Sequence, residues 1–122
     1  MNEFQKRIKK FCEDRDWEQF HNPKDLLLGM IEEIGEIRNV VKWEQDASRI
    51  KESIEKNKEE MKDNIGDIYW FLAVLANECG VNLDEAIHEV IEKNHKRFPV
   101  EENRSRHTNI HLGGKDKDKE QN

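Results

Sequence analysis

"LLLGMIEEIGEIRNVV" (residues 26–41) decides the fold, because its apolar residues recur at helical spacing over a length no ordinary strand reaches. Set Glu33 at zero on a wheel of about 100° per residue. Leu26 then falls at about 20°, Ile37 at about 40°, Met30 at about 60° and Val40 at about −20°. The stripe is that of an amphipathic helix, and Glu33 lies inside it. Glu36 falls at about −60°, on the edge of the arc, and Glu32 at about −100°, on the polar side. A carboxylate in apolar surroundings needs a proton, a cationic partner or a metal ion. Glu33 and Glu36, one turn apart, can address the same ion.

Working outward, a second helix repeats the arrangement. With Asp67 at zero, Glu60 lies at about 20°, Asp63 at about −40° and Asn64 at about 60°. Phe71 and Val74 continue that stripe as apolar residues. Asp67 abuts the oily run "IYWFLAVLA" (68–76), so substantial burial is expected for it. Two helices that each offer oxygen ligands at i, i+3 make a hard-metal site, and all-oxygen ligation suits Mg²⁺ or Mn²⁺ rather than zinc. Most Glu-rich helices are solvated faces or ion-pair ladders. The position of Glu33 inside the apolar arc is what separates this one from them.

The rest of the chain reads as helix as well. Phe4, Ile8, Phe11 and Cys12 follow an amphipathic period that ends near "DRDW" (14–17). "HNP" (21–23) is a turn, and Pro23 opens a helix from about Lys24 to Trp43. "EQDAS" (44–48) breaks it. One long helix is expected from about Ser48 to Cys79, with Gly80 as its C-cap. "NLDEAIHEVIEKNHKRF" (82–98) gives a further helix, which Pro99 stops. The expectation is an all-α bundle of four to five helices over residues 1–100, completed by oligomerisation. Residues 101–122 form a charged tail with few large apolar residues, expected to be flexible.

Bulk properties narrow the function classes. The 122 residues suit a single domain, and 39% of them are charged against 34% hydrophobic. So lean a core favours association with a second copy. A net charge of −6 argues against a general nucleic-acid binder. It leaves room for an anionic substrate held through a cation. Cys12 and Cys79 form no CxxC pair, "MNEFQKRIKKF" (1–11) has no apolar leader, and no apolar run is long enough for a bilayer. A cytoplasmic protein without membrane or nucleic-acid partners is the expectation.

The two carboxylate helices carry a resemblance. An EExxE on one helix, then an ExxD position opening an oily helix, resembles the all-α nucleoside triphosphate pyrophosphohydrolases of the MazG-like superfamily. "RDWEQFHNPKDLLLGMIEEIGEIRNVVKW" (15–43), "GDIYWFLAVLANECGVNLDEAI" (66–87) and "NHKRFP" (94–99) are most similar to its dCTP pyrophosphatases. The likeness covers roughly residues 5 to 100. It implies hydrolysis of a (d)NTP to the monophosphate and pyrophosphate, Mg²⁺ (or Mn²⁺) as cofactor, and a homodimer or homotetramer. It also implies that Glu33, Glu36, Asn64 and Asp67 hold the metal, with Glu33 and Glu36 the catalytic carboxylates. Trp17, His21, Trp43, Asn94 and Arg97 match substrate-binding positions.

The chain departs from the pattern in places. Asn64 stands where the ExxD glutamate is expected, Phe71 where a tyrosine is common, and Val90 where a lysine is expected. A member that binds nucleotide or a protein partner without turnover is therefore the alternative. Trp70 reads as core, Cys12 and Cys79 as inert core thiols, and His88 and His95 as surface residues. His107 and His111 read as a solvated pair.

Overall fold

The computed structural model describes residues 1–105; the tail expected to be flexible from 101 begins instead in a short helix, and its part beyond 105, with His107 and His111, lies outside the described residues. Six α-helices and one 3-10 turn make up its regular structure, with no strand among the described residues. They are α1 (Glu3–Asp14), α2 (Pro23–Val41), α3 (Ala47–Lys56), α4 (Lys58–Cys79), α5 (Leu83–Arg97) and α6 (Val100–Asn103), with the 3-10 turn at Glu18–Phe20. The chain divides into two compact units, Met1–Asp84 and a second that begins at Glu85. No helix among the described residues is long and apolar enough to cross a membrane.

Local chemistry sets the helix ends. The Asn2 side chain accepts from the Gln5 backbone N–H at 2.8 Å, and the Gln5 side chain accepts from the Asn2 N–H at 3.0 Å. This reciprocal capping box starts α1. Asn22 caps α2 by accepting from Asp25 N–H, with Pro23 in the first helical turn. Asp46 caps α3, accepting from the Ser48 N–H at 2.9 Å and its hydroxyl at 2.8 Å. Gly80 ends α4 at φ 67°, a left-handed conformation that glycine adopts without a Cβ clash.

The core of the first unit is built by α1, α2 and α4. Ile8, Cys12, Leu26, Ala73 and Val74 are buried together, with Phe11, Trp70, Phe71, Leu75 and Leu83 packed against them. Phe11 is the aromatic hub. Its ring meets Trp70 edge-on at 5.2 Å and Trp17 at 5.6 Å, and the Arg15 guanidinium covers it at 3.5 Å.

Three further expectations fail in the fold. The helix expected over 48–79 is two helices, parted at Asn57. The Asn57 side chain donates to the Ser53 carbonyl at 2.8 Å, so it closes α3 by bonding to its own preceding turn. Cys79 is exposed rather than core, since the last turn of α4 points Ala76 and Asn77 inward instead; Cys12 is buried as expected. On α1, Phe4 is 56% exposed, and the buried face is Gln5, Ile8 and Cys12.

Candidate metal and nucleotide site

Helices α2 and α4 pack together, and one contact and one charge interaction mark an antiparallel register. The Phe71 ring lies against the backbone of Gly29, where an added Cβ would come within 2.6 Å of Cε1. One turn along, the charge of Asp67 acts on Glu33. Four residues forward on α2 are matched by four residues back on α4.

Glu33 is half-buried, as its place in the apolar arc demands. Its carboxyl is held above the usual glutamate range, first by desolvation, then by the charges of Glu36 and Asp67 and a hydrogen bond shared with Glu36, with Glu32 adding least. Its Oε2 is buried without a hydrogen-bond partner among the described residues, and so is the Nδ2 of Asn64. Asn64 is 7% exposed, buried more deeply than any carboxylate around it. Asp67 corrects the expectation of substantial burial: it is exposed, as are Glu36, Glu60 and Asp63. Its apolar neighbours in sequence point to other sides of the helix.

The donors suit a hard divalent cation. Glu33 supplies a buried oxygen with an open valence, Glu36 and Asp67 add negative charge beside it, and Asn64 can contribute an amide oxygen. As the side chains stand, no three Asp, Glu, His or Cys groups among the described residues converge closely enough to hold a metal. Glu36 and Asp67 are exposed side chains on the two helices that carry Glu33 and Asn64.

The other sequence-picked residues are spread over the chain. Trp17 caps the 3-10 turn, 44% exposed, and His21 follows that turn half-buried. Trp43 lies just past α2, 82% exposed, with the Lys42 ammonium 5.0 Å from its ring centre. Trp70 packs on the core as expected. In the second unit, Asn94 is exposed on α5, and Arg97 is half-buried with its guanidinium 4.9 Å from the Phe98 ring. The sequence reading missed Gly29. Its signal was a glycine in the middle of a helix, where it lowers stability unless something must come close.

A MazG-like family model matches residues 30–111. The dCTP pyrophosphatase 1 of Rattus norvegicus is 34% identical over 92 residues, which is 75% of this chain and 54% of that protein. The Homo sapiens dCTP pyrophosphatase 1 is 30% identical over the same length and the same shares. The chain thus spans about half the length of these curated relatives. The uncharacterized protein YvdC of Bacillus subtilis is 32% identical over 98 residues, 77% of this chain and 92% of that one. Among solved structures, a pyrophosphatase from Archaeoglobus fulgidus superposes with a TM-score of 0.74 at 27% identity, over 81% of this chain and 92% of that one.

Proposed function

The chain belongs to the MazG-like family, and from that premise we propose that it is a Mg²⁺-dependent nucleoside triphosphate pyrophosphohydrolase. It cleaves a (d)NTP, with dCTP favoured, to the monophosphate and pyrophosphate. The names of its relatives support the reaction class. The observation that carries it to these residues is the buried, unpartnered Oε2 of Glu33 amid like charge.

Glu33, Glu36 and Asp67 would hold the ion by their carboxylates, and Asn64 by its amide oxygen. When bound, Mg²⁺ supplies positive charge to the triphosphate and acidity to an attacking water; Mn²⁺ substitutes by the same chemistry. The water oxygen bonds to phosphorus, the α–β bridge breaks, and pyrophosphate leaves. A carboxylate of the Glu33–Glu36 pair accepts the water's proton. The exposed rings of Trp17 and Trp43 offer stacking faces for a base. His21, Asn94 and Arg97 are assigned to the substrate on the resemblance alone.

Self-association belongs to the same proposal. Leu27, Leu28, Ile31 and Ile34 on α2 are 47%, 55%, 63% and 51% exposed, a continuous apolar face suited to a homodimer or homotetramer. The unpaired Cys12 and Cys79 suit a reducing cytoplasm.

One observation favours a second reading. Asn64 is buried and neutral where a carboxylate would strengthen metal binding, which points to a member that holds nucleotide without turnover. Pyrophosphate release from each common dNTP and NTP, with and without Mg²⁺, separates the two. Metal-dependent release, strongest with dCTP, is expected. No release from any substrate would leave the binding-only reading standing.

A further inference from the structure

Gly29 lies four residues before Glu33 on α2, and Phe71 four residues after Asp67 on α4. Each pair therefore shares a face of its helix. A Cβ built on Gly29 would stand 2.6 Å from Cε1, 2.8 Å from Cζ and 3.3 Å from Cδ1 of Phe71. The ring rests on bare backbone with no space for a methyl group. Gly35 and Gly66, on the same two helices, have nothing within 4 Å of an added Cβ. Of the three, residue 29 alone would force a neighbour to shift on gaining a Cβ, and that neighbour is the half-buried Phe71 ring, one turn from Asp67.

Helix separation is set by the side chains at the contact. Because a close-packed interior transmits strain, a methyl group forced under the Phe71 ring is felt in the neighbouring layer. Mg²⁺ is intolerant of such a displacement, since it demands near-octahedral geometry at about 2.0–2.1 Å, whereas Ca²⁺ accepts longer and looser coordination.

We propose that Gly29 and Phe71 are a positioning pair, whose contact fixes the α2–α4 separation at which Glu33 and Asp67 reach one Mg²⁺ ion. The inference rests on the metal-dependent reading above. It assigns the pair no contact with the ion. A glycine in mid-helix lowers intrinsic helix stability, and the close approach of the two helices offsets that loss.

The test is calorimetric titration of the folded full chain with Mg²⁺ alone and with Ca²⁺ alone. The proteins are the wild type, Gly29→Ala and Gly29→Ala/Phe71→Leu; the leucine removes the ring atoms nearest the new methyl group. Gly29→Ala should weaken Mg²⁺ binding by about tenfold or more and Ca²⁺ binding by much less. The double variant should recover the Mg²⁺ affinity. Unchanged Mg²⁺ affinity in Gly29→Ala, or equal losses for both ions, overturns the positioning role and leaves the proposed function intact. A wild type that takes up no Mg²⁺ overturns both. Should Gly29→Ala not fold, the double variant decides: wild-type Mg²⁺ affinity supports the pair, and a lasting loss of about tenfold, by the same scale, refutes it.

Discussion

Two buried polar sites in the first unit stand in contrast. At Gln5, completely buried, every polar atom has a partner. Its amide nitrogen donates to Asn77 Oδ1 at 3.0 Å and to the Val81 carbonyl at 2.8 Å. Its side-chain oxygen accepts from the Asn2 and Leu83 N–H groups, and its backbone carbonyl accepts from Asn77 Nδ2 at 3.1 Å. At the α2–α4 carboxylates, Glu33 Oε2 and Asn64 Nδ2 are buried with no partner among the described residues, and three neighbouring acids add charge to Glu33. A satisfied network fastens the start of α1 to the end of α4 and the entry of α5. An unsatisfied one stores a preference for something else to bind. If the proposed function holds, the first site serves the fold and the second serves function, and substitution should split them cleanly.

The largest effect is expected for Glu33→Gln, which should lower Mg²⁺-dependent pyrophosphate release by about 10³-fold. Its metal-free stability should move the other way. The Glu33 carboxyl is raised in the folded state, so its contribution is full at acid pH and is lost as pH rises through that raised value. At neutral pH the metal-free variant should therefore melt at or above the wild type, with the gap closing on acidification. A clearly lower melting temperature would erase the contrast.

Gln5→Ala should do the reverse. Stranding the groups around it should destabilise the fold by about 2–4 kcal/mol in urea titration, with turnover per folded molecule unchanged. Asn64→Glu sharpens the comparison from the functional side. A carboxylate in place of the amide should tighten Mg²⁺ binding by about tenfold and raise turnover, read by calorimetry and pyrophosphate release. Tightening without turnover would favour the binding-only reading. The smallest effect concerns α3. Asp46 is held below its ordinary value, first by the Ser48 hydroxyl and then by the Ser48 N–H. Its capping is therefore present above the usual aspartate range and is lost as pH falls through the lowered value. A slight loss of helical circular dichroism in strong acid should follow, absent in Asp46→Asn.

The contrast also marks what could be read in the sequence. Periodicity gave the helices and put Glu33 in the apolar arc, because a carboxylate among leucines is a local signal. The break at Asn57 escaped because no glycine or proline marks it; a side chain bonding to its own turn ends the helix instead. Asp67 was expected inside because its sequence neighbours are oily, yet burial follows the helix face and not the run. Gln5 was overlooked although Asn2-x-x-Gln5 is a legible capping box, since the polar pattern announces the cap and says nothing of where the side chain's other bonds go. Gly29 was visible as an oddity, but only the distance to Phe71 explains it.

The antiparallel register has a consequence for how such a chain can change over generations. Because residues of α2 and α4 meet as facing partners, alteration at one restricts what its counterpart can become. A larger residue at 29 is admissible only after a smaller one at 71. Variation at these two positions should therefore be inherited as a matched couple, the change at 71 coming first.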